Sequence, residues 1–409
     1  MYIRQECLFS FEDIMSMQAK NRLELIFENL DLTQISRELK SNSDRGRSGY
    51  NPTPIVRALL AQQIEQIPNR KTMIKRLNDD PVFRYVCGFD IIGNLPSEAT
   101  FSRYYNKLSE STLLENLYLQ LLNKAIEMNL IDTEIVSIDS SALESYERAK
   151  PRKQVDINNP NTPDWGSKND SHGNKLKWYG WKVNMACDSK SELPLAFNIT
   201  PANQADSENA LSLVEEIHQF LKENNQTLPK YWAMDSGYDV NEIYEKIHFN
   251  YKVQAIIPIN KRNAKQPPEG FYDFNGTPEC SAGYKMIYWG HHNGYNKFRC
   301  PHILGKVNCP HGSAWCSDSN YGRVVKTRVK DNPRFVSTPH RGSENWQKIY
   351  NKRTSIERCF SRLKENLNLE NIKVIGAKKM RTHVLLSCIA LITSKIAIEK
   401  INSQTSKAA

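Results

Sequence analysis

The sequence predicts an α/β protein: a helical N-terminal domain, a mixed sheet core, and an insertion that separates the first part of the core from its last helices. Three observations predict it. Apolar residues recur at helical intervals over roughly residues 11–130, short β-branched or alternating runs replace them after residue 131, and helical spacing returns at about residue 343. That last pattern runs to near residue 401, with a break around 371–376. Residues 261–330 interrupt the core with a polar, aromatic, cysteine-containing stretch rich in Gly, Pro, Asn and His. A chain of 409 residues exceeds one ordinary domain. The boundaries read as 1–130 for the helical domain, 131–260 for the first part of the core, 261–335 for the insertion and 336–409 for the last core helices.

Within the first domain, Ile55, Leu59, Leu60 and Ile64 mark a buried helix face. A later helix starts at Pro96, with Ser97 as its cap and Arg103, Tyr104, Tyr105 and Lys107 along it. It reads equally as a helix for a DNA groove and as an amphipathic helix with both tyrosines partly in the core. Five strands follow, at 135–139, 178–187, 193–199, 231–234 and 253–259. A helix over 206–223, with Leu211, Val214, Ile217, His218 and Leu221 at helical spacing, separates the third strand from the fourth. Another near 240–247 separates the fourth from the fifth. This order is that of an RNase H-like α/β domain, although order alone fits other folds.

The chain carries 55 Lys plus Arg against 45 Asp plus Glu, and the excess is concentrated. Residues 281–330 and residues 341–381 are each net +7, which leaves the remainder at −4. Two positive segments in a mildly acidic chain point to a polyanion partner, with two solvated basic faces as the alternative. Residues 1–6 show no basic flank before an apolar run, so no export signal is expected. The most apolar segment, 384–398, is broken by Ser387, Thr393, Ser394 and Lys395. It falls short of the roughly 20 residues of a membrane span and reads as a buried helix. Nine cysteines without a signal argue for reduced thiols or a metal site, hence for the cytoplasm. Cys280, Cys300, Cys309 and Cys316 share the insertion with His291, His292, His302 and His311, which leaves zinc open. Their spacing lacks the paired knuckles of common structural sites, and partly buried thiols are the alternative. Tyr284, Tyr288, Trp289, Tyr295, Phe298 and Trp315 interleave with basic residues there, suited either to stacking on exposed nucleotides or to a small β core. His172 lies in a polar stretch between the first two strands and is assigned no role.

The most informative segment holds Tyr350, Arg353, Glu357 and Lys364, spaced Y-x2-R-x3-E-x6-K. At 3.6 residues per turn the four fall within a stripe roughly 60° wide. Ile349, Ile356, Phe360, Leu363 and Leu367 form the neighbouring apolar stripe that would seat the helix. A carboxylate flanked by Arg, Tyr and Lys can bind a metal while its neighbours hold phosphate oxygens. The plainer reading is a surface helix with one i,i+4 ion pair, worth only tenths of a kcal/mol.

The segment resembles the Y-R-E-K signature of bacterial insertion-sequence DDE transposases, with no departure at its four positions. In that family the Glu is the last of three metal-binding acids. The first acid lies on the first strand of an RNase H-like core, and the second follows the fourth strand. Asp139, after Val136, Ser137 and Ile138, and Asp235, after Trp232, Ala233 and Met234, stand at the matching places. Each by itself also reads as a turn Asp capping local N–H groups. Tyr179 to Lys182, Thr200 to Asn203 with Asp206, and residues 51–108 resemble other parts of the family. The resemblance thus covers most of the chain and places an insertion between Asp235 and Glu357. It implies Asp139, Asp235 and Glu357 as catalytic, metal-binding residues and Tyr350, Arg353 and Lys364 as DNA contacts. Three converging carboxylates repel, so two Mg²⁺ or Mn²⁺ ions, roughly 3.5 to 4 Å apart, are their complement. The implied partners are the terminal inverted repeats of an element and target DNA. A homodimer in a synaptic complex, and a place in the bacterial cytoplasm near the nucleoid, also follow from it. Two readings compete with transposition: a nuclease on the same core without strand transfer, and a DNA-binding protein that has lost catalysis.

Overall fold

The computed structural model describes residues 9–40, 49–149, 159, 161–169, 172–312 and 314–408. Residues 1–6, and with them the expectation about an export signal, lie outside these. Two compact units emerge. One comprises Met1–Leu121, Glu365–Asn371 and Thr382–Ala409, the other Leu122–Lys364 and Ile372–Arg381.

The first unit is helical: α1 (Phe11–Ser16), α2 (Arg22–Phe27), α3 (Thr33–Leu39), α4 (Pro52–Ile64), α5 (Arg70–Asp79), α6 (Pro81–Cys87) and α7 (Glu98–Glu110), with α8 (Leu113–Glu127) leading out of it. Short polar side chains start these helices. Ser10 and Asn21 form capping boxes, Asn69 and Ser97 accept from the third residue of α5 and α7, and Asn51 and Asp80 cap helices that open on proline. Of the two readings of α7, the core one holds for its tyrosines. Tyr104 and Tyr105 are buried; the Tyr104 hydroxyl donates to the Tyr50 carbonyl at 2.7 Å, and Arg70 lies over the Tyr105 ring. The apolar run near the C-terminus is a buried helix, as expected, within Ala377–Ala408. Its polar interruptions are satisfied internally: Ser387 donates to the Leu367 carbonyl and Thr393 to that of Ile389. Among the described residues no helix is long and apolar enough to cross a membrane.

The second unit is built on a six-stranded sheet of β1 (Ile135–Glu144), β2 (Asp164–Asn169), β3 (Lys175–Asp188), β4 (Pro194–Pro201), β5 (Tyr231–Ala233) and β6 (Gln254–Ile256). Strands β1, β3 and β4 are antiparallel neighbours, while β5 and β6 run parallel to β1 on its other side. Between β4 and β5 comes α9 (Asp206–Glu223), and between β5 and β6 comes α10 (Asn241–Phe249). This is the RNase H-like order. Strand β2 was not anticipated, because its residues Asp-Trp-Gly-Ser-Lys-Asn lack a β-branched or apolar run; register with β3 alone makes it a strand. The insertion folds as a three-stranded sheet of β7 (Ile287–His292), β8 (Tyr295–Arg299) and β9 (Val324–Thr327). Asn293 and Gly294, both at positive φ, turn β7 into β8 as the twist of a two-residue hairpin demands. Phe298 and Met286 are buried, and the His340 ring packs edge-on against Phe298 and close to Tyr288.

Gly180 lies where β3 approaches the end of β1, and a Cβ there would sit 2.1 Å from the Leu143 carbonyl oxygen. Only glycine leaves the strands at this separation. Gly180→Ala should therefore cost about 1 to 3 kcal/mol of stability, read as a fall in urea midpoint at unchanged slope; an unchanged midpoint would show that the strands yield freely.

Burial holds the His340 pKa down to about 4, with the nearby Asp273 charge opposing the shift and Arg341 and Lys285 adding to it. The unfolded chain binds this proton near pH 6.5 and the folded chain only near 4, so stability is full above the first value and falls between them. The loss is on the order of 3 kcal/mol by pH 4. Urea titrations at pH 7 and pH 5 should differ less for His340→Gln than for the parent chain.

Candidate active site

Sheet register brings two acids together. Ser137 is the last β1 residue paired with β5, its partner is Ala233, and Asp139 and Asp235 each follow two residues later. They leave neighbouring parallel strands, about 4.8 Å apart, at equivalent positions. Strand β5 ends there while β1 runs on to Glu144, so the β5-side edge of β1 is open beyond the two carboxylates. Each acid also takes the local role open to it from sequence. Asp139 Oδ1 accepts from the Ser140 N–H at 2.7 Å, and Asp235 Oδ1 accepts from the Gly237 N–H at 2.8 Å, capping a 3₁₀ turn over Ser236–Tyr238.

The third acid arrives on a helix that lies against β1 and β3. The segment that the sequence predicts as one helix changes its winding: α11 (Glu344–Tyr350), a 3₁₀ turn at Asn351–Arg353, α12 (Thr354–Ser361) and a π turn at Arg362–Asn366. Tightening before α12 and loosening after it turn the side chains in opposite senses, so the four polar positions stay near one side. Ser355 seats this helix. Fully buried, it donates to Ser137 on β1 at 3.1 Å and meets Ser189 at 3.3 Å, and Ser137 and Ser189 are 2.7 Å apart. Cys359 against Met185 extends the contact, and Arg358 and Arg362 both reach Glu192 at its outer end.

Arg353 lies between the first and third acids. Its guanidinium donates to Asp139 at 3.3 Å and to Glu357 at 2.5 Å, and it stands beside the Tyr350 ring, itself stacked on Trp346. Lys364 donates to the Ala142 carbonyl at 3.4 Å, along the open edge of β1. All six sequence-derived residues therefore adjoin β1, β5 and the α11–α12 segment. Glu357 is 54% exposed, whereas the Asp139 side chain is 23% exposed, so the site opens outward from Asp139. Burial pushes the Asp139 carboxyl up to about 7; the Ser140 N–H and Arg353 oppose the shift, and the Asp235 charge adds to it. Burial also raises the Tyr350 phenol, with Arg353 opposing.

Among the described residues no group of three or more His, Cys, Asp or Glu side chains is disposed to hold a metal ion as it stands. Arg353 is ion-paired to both Asp139 and Glu357. The donor set still fits a hard divalent cation: its side-chain donors are carboxylate oxygens, and Asp139 and Asp235 leave neighbouring strands in register. For zinc, the insertion cysteines find no assembled set. Cys280 accepts from the Tyr284 N–H, and His302 Nδ1 accepts from the Cys309 N–H.

Sequence reasoning missed two supports. A serine facing the same side as Asp139 inside the apolar run before it was the available signal for Ser137. The second is Asp239, whose buried carboxylate receives Arg334 at 2.7 and 3.0 Å, Tyr244 at 2.9 Å and the Asn260 N–H at 2.9 Å, fixing the chain just after Asp235. Arg341 donates to the carbonyls of Ile257, Phe335 and Arg334, tying the end of the insertion to β6. Lys182 and Asp206, singled out by resemblance only, are ion-paired at 2.9 Å.

A family model described as a transposase DDE domain matches residues 131–393, and a second, described as a transposase domain, matches residues 10–107. No curated protein matches. Among solved structures, a piggyBac transposase in a synaptic complex with hairpin DNA shares 13% identity; the alignment covers 94% of this chain and 75% of that one, at a TM-score of 0.41.

Arg353 is one of the two groups that lower the Asp139 pKa, so Arg353→Gln should move that titration above about 7. Carbon-13 NMR of the carboxyl carbon reads it; an unchanged or lower value would mean that the guanidinium does not reach Asp139 in solution.

Proposed function

The chain belongs to the DDE transposases, and we propose from that premise that it cuts and rejoins DNA with Asp139, Asp235 and Glu357 as the catalytic, metal-binding acids. Transposition is its role, and members of the family work with divalent metal ions. The observation that carries the proposal is the shared Arg353 guanidinium between Asp139 and Glu357, next to an Asp235 in register with Asp139. Carboxylates of like charge brought this close need cationic relief, and Arg353 supplies part of it. Two Mg²⁺ or Mn²⁺ ions bound by these acids would supply activation of the attacking hydroxyl and charge stabilisation at the leaving oxygen.

The remaining work falls to the chain's own groups. Burial pushes the Asp139 carboxyl up to about 7, so holding a divalent ion there would favour loss of its proton. Arg353, between Asp139 and Glu357, would be placed to hold a phosphate oxygen bidentately if metal ions took over those carboxylates. Tyr350 stays protonated and can donate a hydrogen bond. Lys364, at the open edge of β1, adds a point charge along the DNA backbone. Water attacks the phosphodiester at the element's end and the 3′ oxygen leaves, giving a 3′-OH. That hydroxyl then attacks a target phosphodiester, forming one P–O bond as another breaks. The partners are accordingly the element's terminal repeats and target DNA, with a homodimer pairing the two ends, in the cytoplasm at the nucleoid.

In a plasmid assay with cloned element ends, Asp139→Asn, Asp235→Asn and Glu357→Gln should each slow end cleavage at least about a thousandfold, or about 4 kcal/mol, while end-DNA binding persists. Pre-cleaved ends should yield joined product with Mg²⁺ or Mn²⁺. Cleavage without joining would favour the nuclease reading, and wild-type cleavage by all three variants would remove the acids from the chemistry.

A further inference from the structure

Helix α12 lies on the sheet through Ser355, Ile356, Cys359 and Phe360, all buried. At about 100° per residue, Glu357 falls on one border of that face and Arg358 and Arg362 fall on the other. Apolar contact is non-directional, so directional bonds along a border are what fix the roll of such a helix about its own axis. The turn from β3 to β4 supplies them. Its Ser189 meets Ser355 at 3.3 Å, and its Glu192, only 13% exposed, is ion-paired with both Arg358 and Arg362. Ser355, Arg358 and Arg362 are spaced three and four apart, so one turn grips one stripe of the helix.

The turn is itself firmly held. The buried Asp188 carboxylate accepts from the N–H groups of Thr133 at 3.2 Å and Ser191 at 2.7 Å and from the Ser191 hydroxyl at 2.6 Å, while the Glu192 N–H donates to the Asp188 carbonyl at 2.9 Å. Glu192 has a φ of 61°, in the left-handed region that glycine or asparagine enters at lower cost, so what a glutamate adds there is its side chain. Both arginines are about half exposed, and pairs of that kind add little to global stability. They add direction. We propose that Glu192 is a positioning residue for the transposase reaction: by holding Arg358 and Arg362 it sets the roll of α12, and with it the reach of Glu357 towards Asp139 and, through the π turn that starts at Arg362, of Lys364 along β1. The proposal rests on the reading of Asp139 and Glu357 as metal-binding acids.

Two variants of the full-length protein separate positioning from stability. Glu192→Gln keeps the size of the side chain without its charge, and Glu192→Gly removes the side chain while easing the backbone. Urea midpoints should stay at the parent value or, for the glycine variant, at or above it. Mn²⁺ affinity, read by electron paramagnetic resonance of the free ion, should fall about tenfold in both, and kcat for end cleavage by a similar factor at unchanged KM for end DNA. Amide hydrogen exchange over residues 354–361 of the metal-free protein should quicken. Arg358→Gln with Arg362→Gln should reproduce the loss of Mn²⁺ affinity, and adding Glu192→Gln to that pair should lose nothing further. Parent-like Mn²⁺ affinity and exchange in both Glu192 variants, or losses that only follow a lowered urea midpoint, would overturn the proposal. Parent-like Mn²⁺ binding by Asp139→Asn would instead count against the acids as metal ligands, and the exchange rates would still decide whether Glu192 holds the helix.

Discussion

Everything at the acidic site depends on how closely a helix can lie on a sheet. Ser355, Ser137 and Ser189 meet where α12 crosses β1 and β3, and all are small enough for helix and strand backbones to approach. Their hydroxyls also satisfy one another, so the approach leaves no orphaned donor in a buried place. Alternation along β1 puts Ser137 and Asp139 on the same face, so the contact that seats the helix also sets the distance from Asp139 to Arg353 and Glu357. A larger side chain at this crossing would lift the third acid away from the first.

The same geometry creates an electrostatic debt. Asp139 is largely enclosed, Asp235 is its strand neighbour, and a single guanidinium answers both Asp139 and Glu357. Burial therefore keeps the Asp139 proton bound to about pH 7, far above an ordinary carboxyl. The strain is local. Just beyond it, the Asp239 carboxylate is fully paired with Arg334 and neutral donors, and its pKa is lowered despite its burial. One acid is satisfied by the fold, whereas Asp139 and Glu357 share a single guanidinium.

Concentrated positive charge takes two physical forms here. Around α12 it is spent largely on carboxylates, with Arg353, Arg358 and Arg362 all ion-paired. On the insertion's sheet it faces water beside exposed rings. A net charge cannot distinguish a cation already partnered from one that awaits an anion.

Much of this was legible in the residues. The order of most strands and helices, the span of α9 and the buried helix near the C-terminus follow from local periodicity, and the family resemblance singles out Asp139, Asp235 and Glu357; Asp139, however, lies within β1 rather than at the end of a strand over 135–139, because pairing with β3 carries β1 on to Glu144. Strand β2, a polar run, gains its structure only from pairing with β3, and no local pattern encodes a partner. The winding changes around α12, the burial of Tyr104 and Tyr105, the serine contact and the Arg334–Asp239 pair likewise join residues far apart in the chain. The sequence by itself determined which chemical groups are present and on which elements they ride, because backbone periodicity is local. Only the tertiary structure decided which charges share one counterion and which are left without relief, because distance and burial are properties of the packed molecule.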